Sequence, residues 1–189
     1  MSALIRVDAD ERRELLTQLA NQRDLLRLST YGLGHEHVTA TPTVSDISLA
    51  GVIKSAARME QRWIAGALYP ASPSQSPGCA PAQPRATRFG LEPGETLADV
   101  IGLYAAVAEQ TEAAVDSVSD LDQPVPCPPR TSTFLAGKRA WSARAALLHI
   151  IEVTADHVHA ADTVRSLLER SWPGAWPASM SSRSASRTA

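Results

Sequence analysis

Residues 142–170, SARAALLHIIEVTADHVHAADTVRSLLER, read as one long helix, and their reading decides the fold. Leu148, Ile151, Ala155, Val158, Ala161, Val164 and Leu168 recur at helical spacing, giving an apolar side wide enough to lie inside a bundle. Ser142 is placed to cap the start, and Trp172-Pro173-Gly174 to end it. The stretch also holds His149, His157 and His159, the one cluster of metal-type side chains in the sequence. At about 100° per residue, His149, Val153 and His157 form a slowly drifting line along the helix. A metal site built on one helix wants ligands at i and i+4, and of positions 153 and 157 only His157 can ligate. His149 and His157 lie roughly 12 Å apart along the axis, too far to share one zinc.

Working outward, three more segments carry helical periodicity. Residues 97–118 place Val100, Leu103, Val107, Thr111 and Val115 on one side. Thr96 caps them through Asp99, and the small residues Gly102, Ala105, Ala106 and Ala113 make a flat face suited to a neighbouring helix or a second copy of the chain. Residues 48–68 line the core with Leu49, Val52, Ile53, Ala56, Met59, Trp63 and Leu68 behind a cap at Asp46 or Ser48. On their polar edge Ser55, Arg58, Met59 and Arg62 are neighbours; the two arginines there are either solvated flank residues or the cationic wall of a pocket. Residues 9–30 form the first helix, with Leu15, Leu16, Leu19, Leu25, Leu26 and Leu28 as its apolar side. The Tyr31–Gly34 turn ends it, and His35 and His37 are expected in a solvated connecting loop, since two ligands alone close no tetrahedral site. Four amphipathic helices without a strand pattern predict an all-α four-helix bundle.

The chain's 189 residues suit one domain, expected over residues 1–171, with a Pro/Ser-rich mobile linker at 69–86 and a flexible tail at 172–189. A net charge of −2 gives no long-range pull toward nucleic acid or anionic membrane, and no apolar run approaches the roughly 20 residues that cross a bilayer. Only Cys79 and Cys127 are present, and no charged-then-apolar signal segment opens the sequence, so a cytoplasmic setting is expected.

ATPTVSDISLAGVIKSAARME, FGLEPGETLADVIGLYAAV and above all ARAALLHIIEVTADHVHAAD resemble the DinB-like superfamily, in the branch near the N-terminal domain of mycothiol-dependent maleylpyruvate isomerase. The resemblance covers most of residues 12–169 and implies a DinB-like bundle that holds one divalent metal, often zinc. That metal lowers the pKa of a low-molecular-weight thiol such as mycothiol, because a bound cation stabilises thiolate. The family's three ligand positions fall on Ser55, Val153 and His157, so only His157 is kept; a further family histidine falls on Ala160, beside His159. Glu152 and Asp156 stand next to the ligand positions but point about 100° away, and would need a helix slip to substitute.

Three readings follow for a chain related to mycothiol S-transferases and isomerases of bacterial, including secondary, metabolism. The first is a small-molecule enzyme without a metal cofactor, acting on an acidic or electrophilic metabolite. In it His157 is the acid–base group, Arg58 and Arg62 supply the positive charge, and Ser55, Met59, Val153, Asp156 and His149 line the substrate. Outside such a site, His157 reads as a core histidine hydrogen-bonded to a neighbouring helix, and His149 as a structural one inside the bundle. The second reading is a non-catalytic binding protein of the same fold. The third is a thiol transferase whose zinc is held by substitute ligands, His157 among them. In each case the expected partner is a small molecule, with a homodimer as the assembly.

Overall fold

The computed structural model describes residues 2–42, 46–68, 89–125 and 141–172, with side chains from residue 10 onward. Four long helices carry it: α1 (Ser2–Leu28), α3 (Leu49–Trp63), α4 (Leu97–Ser117) and α5 (Ala143–Ser171), with a short α2 (His35–Thr39) between the first two. Helix α3 packs against α4 and α5, and α1 against α5, as an all-α bundle. Residues 35–39, expected as a loop, are therefore helical. Val38 is fully buried there, while the His37 ring meets Trp172 edge-on at 5.8 Å. The expected linker at 69–86 and the tail beyond Trp172 lie outside the described residues.

Local chemistry sets the ends of the helices. The Ser48 side chain accepts from the Gly51 N–H, and Ser142 from Ala145 N–H, satisfying backbone donors that the first helical turn leaves open. Thr96 and Asp99 cap each other's backbone N–H groups in a full capping box. Beyond Trp63 the third helix widens into one π-helical turn, Ile64–Leu68, still buried at Ile64, Ala67 and Leu68. A two-residue antiparallel pair, β1 (Pro124–Val125) with β2 (Trp141–Ser142), closes the chain against the start of α5. The Arg144 guanidinium holds Glu11 at 2.6 and 3.0 Å and also pairs with Asp122, tying α1 and the post-α4 turn to that start.

The buried stripe of α5 holds the expected Ala161, Val164 and Leu168 but departs from the expected one over its first half. Ala146, Leu147, Ile150, Thr154, Ala161, Val164 and Leu168 face inward, whereas Leu148 is 50% exposed. On α1 the core takes Leu19 and Leu26 together with Arg23, and Leu25 and Leu28 stand outside. On α4 the buried side includes Tyr104 rather than Leu103. Gly102 has open space above it and Ala106 and Ala113 are exposed, while Ala105 is partly buried.

The core forms two apolar clusters, one around Leu19, Trp63, Trp141 and Leu147, the other around Leu26, Ile53, Tyr104 and Leu168. Each long helix also buries polar side chains, among them Arg23, Glu60, Thr111 and Thr154. Arg23 donates twice to the Glu60 carboxylate, once at 3.2 Å from Nε, and the Thr111 hydroxyl donates to the same carboxylate. A buried carboxylate is tolerable only with this kind of pairing. Burial first, and then the Glu60 charge, push the Tyr104 phenol well above its ordinary pKa.

Candidate functional site

The site is built where the first half of α3 meets the middle of α5. The turn before α4 holds that half of α3 in place. Gly51 allows this, because a Cβ there would lie 1.6 Å from the Phe89 carbonyl oxygen. The same carbonyl accepts from the Ser48 hydroxyl at 3.1 Å. Lys54, fully buried on α3, reaches into the turn and donates to Glu95 at 2.5 Å, Glu92 at 3.4 Å and the Gly90 carbonyl at 3.5 Å. Burial works against the Glu95 carboxylate, but the hydrogen bonds from Lys54 and from the Glu92 N–H outweigh it, with help from the Lys54 and Arg58 charges. The Glu95 pKa therefore sits below its ordinary value.

One residue beyond Lys54, the Ser55 hydroxyl lies 3.2 Å from His157 Nε2. The other ring nitrogen, Nδ1, lies 2.7 Å from the Val153 carbonyl oxygen. A carbonyl only accepts, so Nδ1 carries the proton and Nε2 presents its lone pair to the Ser55 O–H. Burial pushes the His157 pKa below its ordinary value and the Arg62 charge adds to this, while the Val153 bond and Asp156 pull the other way. The ring is thus neutral at neutral pH and basic at Nε2. Ser55 is buried and His157 remains partly exposed.

Around this pair the residues expected from sequence fall at graded depths. Met59 is buried one turn from Ser55, Val153 and Arg58 are partly buried, and Arg62 and Asp156 are exposed. His149 is elsewhere: its ring packs against Trp63 and Trp141 at 4.6 and 5.4 Å, with Glu152 3.4 Å from Nδ1. His159 and His35 are exposed. Lys54 and Glu95 were not singled out from sequence. Their signal was a lone lysine in the apolar run LAGVIKSAA facing a turn with two glutamates, Glu92 and Glu95.

The three positions matched to metal ligands present a hydroxyl, an aliphatic side chain and one imidazole. Among the described residues no three His, Cys, Asp or Glu side chains gather closely enough to hold a metal ion. This set does not fit zinc, which asks for three protein ligands beside its open position. Glu152 pairs with His149 and Asp156 is exposed, and α5 is continuous through both, without the slip that would turn them inward.

No curated protein matches the chain. The profile of a family described as mycothiol-S-transferase matches residues 14–170.

Proposed function

The chain belongs to the mycothiol-S-transferase family, and from that premise we propose that it is a small-molecule enzyme in which His157 is the general base and acid. The observation that carries this reading is the pair of bonds on the His157 ring: Nδ1–H is anchored on the Val153 carbonyl, which leaves Nε2 basic and fixed in direction. A base so placed takes the proton of an attacking thiol or other nucleophile and returns it to the leaving group, an effect worth about 10²- to 10⁴-fold in rate. The substrate is an electrophilic or acidic metabolite. Arg58 and Arg62, on the Ser55 helix α3, attract its carboxylate, and a guanidinium matches a carboxylate through paired hydrogen bonds.

The test is a thermal melt of the full chain against a panel of small mono- and dicarboxylates, with zinc and a chelator as separate arms. A fitting carboxylate stabilises the fold by about 2.7 kcal/mol at a hundredfold excess over Kd. Arg58→Ala and Arg62→Ala remove that rise, and His157→Ala keeps it. A melting temperature that follows zinc and chelator but ignores every carboxylate overturns the metal-independent reading in favour of a thiol transferase with a resident metal.

A further inference from the structure

The Ser55–His157 contact has the geometry of an activated hydroxyl. A nucleophile–base pair needs the two side chains within hydrogen-bond reach, about 2.6–3.2 Å, and the base oriented by a third group. Here the separation is 3.2 Å and the third group is the Val153 carbonyl, 2.7 Å from Nδ1. That carbonyl plays the part that a carboxylate plays in a serine triad, holding the tautomer that keeps Nε2 free to accept. The hydroxyl is not turned onto its own helix. Ser or Thr side chains elsewhere in the bundle, Thr111, Thr154, Thr163 and Ser171, bond the carbonyl four residues back, whereas the bond found for Ser55 crosses to the facing helix.

We infer that Ser55 is a nucleophile and that the site accepts acyl groups from small activated esters or thioesters. The inference rests on His157 being the base, as proposed above. In the first half-reaction Ser55 Oγ bonds to the acyl carbon as its proton passes to His157 Nε2. The tetrahedral intermediate collapses by breaking the bond to the alcohol or thiol, which leaves with the proton from Nε2. In the second half, water or a thiol gives its proton to Nε2 and attacks the same carbon, and Ser55 Oγ leaves and recovers the proton. No oxidant or reductant is involved.

The experiment is a pre-steady-state reaction of the full chain with p-nitrophenyl acetate, followed by peptide mass spectrometry. Wild type should release close to one equivalent of nitrophenolate in a burst and carry the acetyl group on Ser55. Ser55→Ala should lose both, and His157→Ala should slow acetylation about 10²- to 10⁴-fold. Ser55→Cys, which keeps the side-chain size, should be acetylated on the new thiol, with the rate again dependent on His157. Acetyl groups found only on other residues, or a burst retained in Ser55→Ala, overturn Ser55 as nucleophile. If Ser55→Ala keeps full catalytic turnover while His157→Ala loses it, the base reading survives and this one fails. If Ser55 is acetylated equally fast with and without His157, the base reading fails with it.

Discussion

His149 packs its ring against Trp63 and Trp141, whereas His157, two turns further along the same helix, commits both ring nitrogens to hydrogen bonds, one to its own helix and one across to Ser55. The two are turned about 80° from one another around α5 and differ in what faces them. Opposite His149, α3 has reached its tryptophan and the π-helical turn; opposite His157 it carries a serine. A histidine set among aromatic rings contributes contact area. One set against a hydroxyl and a carbonyl contributes a direction for a proton. Residue type alone does not separate these roles, and the facing helix does.

The largest effect separating the two ends belongs to Trp63. Trp63→Ala removes the ring that both His149 and Trp141 pack on and should cost about 3–5 kcal/mol of unfolding free energy. Loss of the His157 hydrogen bonds in His157→Ala should cost only about 0.5–1.5 kcal/mol per bond. Urea melts of the two variants measure the contrast, and equal losses would erase it.

A second, smaller effect is a pH slope assigned to His157 alone. Its folded pKa lies below the unfolded value of about 6.5, so above that pH both states are neutral and its full contribution is present. As pH falls below about 6.5 the unfolded chain takes up the proton first, and the contribution is lost progressively until pH has passed the folded value. His157→Phe should therefore lose less stability than wild type between pH 7 and pH 5, read from denaturant midpoints. An unchanged slope would assign the proton to another group.

The smallest effect belongs to Leu148 at the start of α5, with its buried neighbour Leu147 as the contrast in the same urea melts. Leu148→Ala should stay within about 0.5 kcal/mol of wild type, while Leu147→Ala should cost about 2–5 kcal/mol.

That last pair explains why spacing does not settle the first half of the α5 stripe, while Ala161, Val164 and Leu168 are buried as it predicts. Leu147-Leu148 and Ile150-Ile151 are apolar doublets, so two stripes about 100° apart satisfy the same spacing, and only the neighbouring helices choose between them. Helix α3 offers no such ambiguity: Leu49, Val52, Ile53, Ala56, Met59 and Trp63 are all buried as the spacing predicts. Caps were legible because Ser48, Thr96, Asp99 and Ser142 act on backbone within three residues of themselves. Arg23 and Glu60 were not, since a charged residue inside a helical pattern reads as surface until its partner, 37 positions away, is known. The site lies between these cases. Periodicity alone does not join Ser55 to His157 across 102 positions; the family resemblance did, by setting both at ligand positions.

The Arg23–Glu60–Thr111 cluster also restricts which descendants of this sequence remain viable. Losing Arg23 alone strands the Glu60 charge inside the bundle, at about 3–5 kcal/mol, a large share of the roughly 5–15 kcal/mol that holds a domain folded. Losing Glu60 alone leaves Arg23 with Glu112, 4.0 Å away, as its carboxylate. Replacing both with apolar residues of similar volume is often close to neutral. Each endpoint is therefore a workable sequence, while the one-step intermediates between them are the less stable ones. Related chains should carry the arginine and the glutamate together or lack both, and an ancestor that crossed from one arrangement to the other needed two changes at once or a stabilising change elsewhere first.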